Sequence, residues 1–310
     1  MELYFLGTNA GVPTLQRNVT SIGLRMYEER RALWLFDCGE GTQHQVLRSL
    51  LKLSKLEKIF ITHLHGDHLF GLPGLLSSRA YQGGVTPLTV YGPVGLERYI
   101  RTTLELSQSR IEYELNIVEH EGGVVFEDDM FRVESALLEH RIDSYGYRII
   151  EKDRPGQLNF EILKHHGIKP GPLYGQLKNG GSIQLADGQT LHSHEVVGKP
   201  KKGKIITILG DTRPCPNVHL LAQDADVLVH EATFLQDMEE TAHNYYHSTT
   251  LQAAHAAKEA NVQELILTHF SSRYKDREQL EPLLQEAKSV FENTLLAEEH
   301  VLFPISSKSV

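Results

Sequence analysis

The 310-residue chain reads as an α/β protein with mixed sheets and helices outside them. Three observations lead there. Short apolar runs of strand length alternate with segments of helical spacing. Some of those runs are joined as hairpins, so the sheets are not wholly parallel. Finally, four apolar runs (59–62, 133–138, 205–209 and 265–267) are each followed by a candidate ligand: His63, His140, Asp211 and His269. In α/β sheets the loops at strand ends converge and build sites. One such residue could simply end a strand; four speak for a shared site.

In chain order, residues 2–6 form a first strand and 7–18 a loop punctuated by Gly and Pro. Residues 19–26 and 31–36 make a hairpin about the charged turn 27–30, and the second strand runs into Asp37-Cys38-Gly39-Glu40-Gly41. Val46, Leu47, Leu50 and Leu51 give 42–51 helical spacing. After strand 59–62 come strand 88–91, helix 95–106, two or three strands between 111 and 140, and strand 145–150. Periodicity weakens over 152–204. Strand 227–229 then leads into His230-Glu231-Ala232-Thr233, and His247-Ser248-Thr249 precedes a helix over 250–260 with Ser248 as its expected cap.

The run His63-Leu64-His65-Gly66-Asp67-His68 is a poor way to build a core and a good way to hold metal. Imidazole and carboxylate suit zinc and its transition-metal neighbours, with manganese and iron as alternatives. His63 and His65, two apart in extended backbone, point to one side. Gly66 lets the chain turn. Asp67 and His68 open the next segment, where the aspartate can also cap a helix. The two pairs aim at neighbouring points, which favours two metals.

Composition sets the background: 40% hydrophobic and 23% charged residues are ordinary for a globular protein. Seventeen histidines beside 31 Lys plus Arg fit a metalloprotein. No apolar window is long enough for a transmembrane helix, and the N-terminus lacks the features of a signal peptide. Cys38 and Cys215 read as thiols in a reducing cytosol, so a cytoplasmic protein with no membrane partner is expected.

His63-x-His65-x-Asp67-His68 resembles the signature of the metallo-β-lactamase superfamily. Together with His230-Glu231-Ala232-Thr233 and His247-Ser248-Thr249, which look like HEAT and HST motifs, it is similar to the ribonuclease Z family, short form, over essentially the whole chain. The resemblance implies a single domain over 1–310 with the four-layer αββα metallo-β-lactamase sandwich, and two zinc ions per subunit. His63, His65 and His140 would hold one, Asp67, His68 and His269 the other, and Asp211 would bridge them. It implies cleavage of precursor tRNA after the discriminator base, leaving a tRNA 3′ hydroxyl and a 5′-phosphate trailer. Asp67 would be the general base. Glu231 would orient His247, and His247 would protonate the leaving 3′ oxygen, the usual carboxylate–histidine pairing. Pro13-Thr14-Leu15-Gln16-Arg17-Asn18 is similar to the family's PxKxRN loop near the acceptor end, with Leu15 where the motif has Lys. Arg17 would reach a phosphate there, with Asn18 beside it. Family members are homodimers. The same fold also serves lactonases, arylsulfatases and small phosphodiesterases, and a non-catalytic RNA-binding relative is a further alternative.

The net charge of −9 argues against a nucleic-acid partner until its distribution is considered. Residues 152–204 carry nine Lys plus Arg and four Asp plus Glu, a local net of +5, which leaves −14 on the remainder. A basic, Gly- and Pro-rich insertion is a natural grip for a phosphate backbone. By resemblance it is the flexible exosite arm for tRNA, with Gly171 and Pro172 in its Gly-Pro motif.

Overall fold

The computed structural model describes residues 1–185 and 187–306, and it separates into two compact units, residues 1–149 with 205–310 and residues 150–204. The larger unit holds two seven-stranded sheets. The first contains β1 (Glu2–Gly7), β2 (Ser21–Met26), β3 (Ala32–Phe36), β4 (Leu56–Phe60), β5 (Leu88–Gly92), β6 (Leu115–Glu119) and β16 (Leu302–Pro304), in the order β16-β1-β2-β3-β4-β5-β6. It is antiparallel from β16 to β3 and parallel from β3 to β6. The second contains β7 (Gly123–Glu127), β8 (Phe131–Leu138), β9 (Ser144–Glu151), β12 (Ile205–Ile208), β13 (Val227–Glu231), β14 (Glu264–Thr268) and β15 (Thr294–Leu296), in the order β15-β14-β13-β12-β9-β8-β7.

Strand periodicity divides the core into layers. Trp34, Phe36, Phe60, Tyr147, Val227, Val229 and Ile266 share one buried cluster fed by both sheets, so these faces pack against each other. Their neighbours Leu33, Leu35 and Ile59 point the other way, into a cluster with Leu72, Leu76, Leu96 and Ile100 from the helices Leu72–Tyr81 and Leu96–Leu106. On the second sheet Leu228, Leu265 and Leu267 pack with Leu221, Ala253, Ala257 and Leu283 from the helices Pro216–Ala222, Thr250–Glu259 and Arg277–Lys288. The result is helix, sheet, sheet, helix. Both faces of the central strands are buried, which is why they read as continuous apolar runs.

Two local readings are corrected. The helix expected over 42–51 stops at Leu47. Ser49 Oγ donates to Val46 O at 2.8 Å and accepts from Leu51 N at 3.0 Å, a side-chain turn that competes with the helix. Thr249, not Ser248, caps the 250–259 helix through a reciprocal box with Gln252, while Ser248 Oγ donates to Thr212 O at 2.7 Å.

The smaller unit is more ordered than its sequence led us to expect. It contains the helices Phe160–His165, Pro172–Lys178 and Ser193–Val196 and the hairpin β10 (Ser182–Gln184) with β11 (Thr190–His192). Leu163, Leu177, Ile183, Leu191 and Val196 form its own apolar core.

Candidate active site

The site is assembled from strand ends of both sheets. His63 to His68 follow β4, His140 follows β8, Asp211 follows β12, Glu231 ends β13 and His269 follows β14. Gly210 lets this end close: a Cβ there would lie 2.7 Å from Thr62 Cβ and 2.9 Å from Tyr145 O. Asp37, Tyr246 and His269 all have left-handed φ, 57°, 62° and 58°. Such conformations cost about 1–3 kcal/mol each and gather at functional sites.

Two donor clusters lie side by side. In the first, His65 Nδ1 is 3.0 Å from His63 Nε2 and 3.2 Å from His140 Nε2. The outer nitrogens of the other two rings are already bonded. Thr62 gives its hydroxyl proton to Asp37 Oδ2 at 2.9 Å, so its oxygen accepts from His63 Nδ1 at 3.0 Å. His140 Nδ1 donates to Tyr246 O at 2.9 Å. The inward nitrogens of His63 and His140 therefore present lone pairs. Burial holds all three imidazoles below their ordinary pKa; neighbouring imidazoles add to this and Asp211 opposes it without reversing it, which leaves the neutral form a ligand needs.

In the second cluster His68 Nε2 faces His269 Nε2 at 3.2 Å, and Asp67 Oδ2 lies 3.5 Å and 3.4 Å from the two. His68 Nδ1 donates to Asp37 Oδ2 at 2.7 Å. Thr233 Oγ1 donates to Glu231 Oε2 at 2.7 Å and accepts from His269 Nδ1 at 3.1 Å. With their outer nitrogens donating, the two Nε2 atoms turn inward at 3.2 Å, where a shared proton or a metal ion can satisfy both; burial opposes a charge on His68, but Asp211 and Asp67 hold its pKa well above the ordinary value. Asp211 faces both clusters, with Oδ1 3.4 Å from His68 Nε2 and Oδ2 3.3 Å from His269 Nε2, 3.8 Å from His63 Nε2 and 4.0 Å from His140 Nε2. Converging imidazole lone pairs with two inward carboxylates fit a metal centre.

Beside the clusters, His247 Nδ1 is 2.8 Å from Glu231 Oε1. Glu231 is buried, and its carboxylate also takes Thr212 N at 3.2 Å and Thr233 N at 3.1 Å. The His247 ring stands 5.2 Å from His140 and 5.5 Å from His269, with its side chain 17% exposed. Burial pushes the His247 pKa down, but the Glu231 carboxylate outweighs it and holds it up at about 9. The ring is thus held in its charged form beside the donor clusters, where it also lies within reach of Asp211 and His269.

The structure brings His63, His65, Asp67, His68, His140, Asp211, Glu231, His247 and His269 together. Arg17 and Asn18 are placed otherwise than expected. Arg17 is only 8% exposed: Nε and Nη2 donate to Asn9 Oδ1 at 3.1 and 2.7 Å, and Nη2 also bonds Tyr274 O. Asn18 Nδ2 donates to Glu40 O at 3.0 Å. Both serve the loop itself, and Leu15 forms its fully exposed tip. Gly171 and Pro172 are exposed at the start of the Pro172–Lys178 helix of the smaller unit. Asp67 does not cap the turn Gly66–Leu69; His65 holds the cap position, and Asp67 Oδ2 instead accepts from Gly11 N at 2.7 Å. Sequence reasoning missed Asp37, Thr62 and Thr233, the partners that orient the ligand rings. The one signal for Asp37 was its place at the end of a buried strand.

Comparison with known proteins follows this geometry. A family model described as Anti-Pycsar protein Apyc1 matches residues 1–135, which include His63 to His68 but stop short of His140, Asp211, Glu231, His247 and His269. Ribonuclease Z of Listeria monocytogenes serotype 4b is 58% identical over 305 residues, 98% of this chain and 99% of that protein. Ribonuclease Z of Bacillus licheniformis is 55% identical over 297 residues, 96% of each. Among solved structures, human tRNase Z, short form, superposes with a TM-score of 0.73 at 31% identity, covering 99% of this chain and 100% of the other. A metallo-β-lactamase fold protein of Bacillus subtilis superposes at 0.67 with 18% identity over 97% and 98% of the two chains, a likeness of fold alone.

Proposed function

Because the chain belongs to the ribonuclease Z family, we propose that it removes the 3′ trailer from precursor tRNA, cutting after the discriminator base with two zinc ions bound per subunit. The observation that carries this reading is the Glu231–His247 pair set beside the two donor clusters. His63, His65 and His140 would hold one ion, Asp67, His68 and His269 the other, and Asp211 both. Two such ions, when bound, supply positive charge to the phosphoryl oxygens and make water acidic enough to attack near neutrality.

The chain's own residues do the rest. Asp67 accepts a proton from the attacking water as general base; burial opposes its ionisation, but His68 and His269 keep its carboxyl well below the usual range. The water oxygen bonds to phosphorus and the P–O3′ bond breaks. His247 gives its Nε2 proton to the departing O3′ and becomes neutral, and Glu231, bonded at Nδ1, stabilises the charged ring until then and orients it throughout. The tRNA keeps a 3′ hydroxyl and the trailer a 5′ phosphate.

The inserted unit is the proposed grip on the tRNA body. Its cleft of about 960 Å³ is lined by Lys178, Asn179, Gly180, His192, His194 and Lys199 among others, and no carboxylate lines it. That supports binding to a phosphate backbone, with Gly171 and Pro172 nearby in sequence. We extend the reading to a homodimer, as the family resemblance implies. No helix among the described residues is long and apolar enough to cross a membrane, and Cys38 and Cys215 are unpaired; we place the protein in the cytoplasm.

The test is single-turnover cleavage of a 3′-extended precursor tRNA with the product end mapped. A cut after the discriminator, lost on chelation and restored by zinc, is expected. Hydrolysis of bis-p-nitrophenyl phosphate without tRNA cleavage would retain the metal centre and remove the tRNA reading.

A further inference from the structure

The loop between β1 and β2 touches the reacting groups through one atom. Gly11 N donates to Asp67 Oδ2, the same oxygen that faces His68 and His269. Gly11 has φ +70°, a left-handed conformation that suits glycine. What holds it in place lies at the two ends of the loop. Thr8 N and Asn9 N both donate to Asn18 O, at 3.0 and 2.9 Å. Arg17 closes the loop across Asn9 Oδ1. Ala10 N donates to Phe270 O at 2.9 Å and Phe270 N to Thr8 O at 2.8 Å, which laces the loop to the residue after His269.

A carboxylate from the far end of the chain fastens this arrangement. Glu299 Oε1 accepts from Thr8 N at 3.0 Å, Thr8 Oγ1 at 3.2 Å and Asn18 N at 2.9 Å. One oxygen thus clasps both ends of the loop. Glu299 belongs to none of the motifs, and it lies beyond β15.

We propose that Glu299 is a positioning residue for the reaction. By clasping Thr8 and Asn18 it fixes the Gly11 N–H against Asp67, and so sets the direction in which the Asp67 carboxylate faces the attacking water. This rests on the role given to Asp67 above. A donor fixed on Oδ2 restricts the rotation of the Asp67 carboxylate. A released loop would leave Asp67 free to turn, and a displacement of about 1 Å at a reacting group costs on the order of 10²-fold in rate. On this view Arg17 belongs to the same clasp, which explains why its guanidinium is buried.

The test compares Glu299→Ala with Glu299→Gln in metal-loaded protein of matched metal content, on precursor tRNA and on bis-p-nitrophenyl phosphate. The small diester is too short to span the site and the exposed loop tip together. Glu299→Ala should lower kcat on both substrates by about tenfold or more, with KM for tRNA changed less than about twofold. Glu299→Gln, whose amide oxygen can take the same three donors, should recover most of the loss. Hydrogen exchange of peptides spanning 8–18 should quicken in the Ala variant and not in the Gln variant.

A loss confined to KM for tRNA, or unchanged exchange over 8–18, would overturn the proposal. If Glu299→Ala does not fold, Thr8→Val decides: it removes one donor to Glu299 and should lower kcat on both substrates, and no change overturns the idea. Should wild-type protein leave tRNA uncut while hydrolysing the diester, the tRNA reading fails and the clasp is still measured on the diester.

Discussion

In the mechanism proposed above, His247 supplies the leaving proton, and Glu231 keeps it charged in a partly buried place. We predict that His247→Ala lowers kcat by about 10²–10⁴-fold while precursor binding stays unchanged; unchanged turnover would remove its role. The protonated ring is the active form, so activity should fall as pH rises through its pKa. That value is held at about 9 by Glu231, and cations in the adjacent clusters push the same proton off, so the alkaline limb should lie no higher. In Glu231→Gln the limb should move down by about one unit or more, read from kcat against pH. Asp37 has a different task. It accepts from His68 Nδ1 and Thr62, and Thr62 in turn orients His63. Asp37→Ala should weaken metal affinity about 10–100-fold, measured as metal retained after dialysis. At this scale the candidate ligands were legible as a cluster, since His63, His65, Asp67 and His68 crowd six positions and the others follow apolar strands. Asp37 and Thr233 were not, because a carboxylate or hydroxyl that orients a distant ring leaves no local spacing. Arg17 misled for a related reason: an arginine in a Gly- and Pro-rich loop looks solvated until Tyr274, from the other end of the chain, covers it.

Between elements, aromatic rings stack along the first sheet, Trp34 of β3 reaches across to Phe131 of β8, and a charged clamp ties the two sheets. Phe60 stacks on Phe36 and Tyr91 at 5.0 and 4.9 Å, and Trp34 meets Phe60 and Phe131 edge-on or tilted. Arg30, from the β2–β3 turn, bonds Glu57 of β4 at 2.6 Å and Asp128 of the β7–β8 turn, so one guanidinium ties both sheets. Burial pushes the Glu57 carboxyl up, and bonds from Arg30 and Trp34 more than reverse it, to about 2. Its folded pKa thus lies below its ordinary value of 4.5. The stability it contributes is present above about pH 4.5 and is lost as pH falls towards about 2. Arg30→Ala should cost about 2 kcal/mol in urea unfolding near neutrality and should blunt that acid sensitivity. The central strands were readable because both of their faces are buried, unlike the open β6 and β7. The end of the 42–47 helix was not, since Ser49 ends it through bonds that compete with helical spacing.

For the whole molecule, charge and folding are partitioned together. The segment 152–204 carries +5 against −14 elsewhere, and the unit 150–204 that contains it has its own apolar core. Deleting residues 155–195 should weaken precursor binding and flatten its salt dependence, while hydrolysis of the small diester persists. Loss of both activities would mean that the larger unit had not folded. Sequence showed this segment as basic and weakly periodic. Its short helices stayed hidden because five scattered residues supply its core. If the donor clusters of the larger unit hold metal as proposed, chelation should lower its melting temperature and metal should restore it.

The root of the inserted unit has a consequence of its own. Glu151 N donates to Lys204 O at 2.8 Å, and Arg154 pairs with Lys201 in antiparallel register. The excursion is therefore cinched where it leaves β9 and where it returns to β12, strands that are neighbours in their sheet. Whatever lies beyond the cinch can lengthen, shorten or be exchanged without altering the separation of those strands. On the function proposed above, such exchanges would alter what the inserted unit grips and leave the donor clusters of the larger unit as they are.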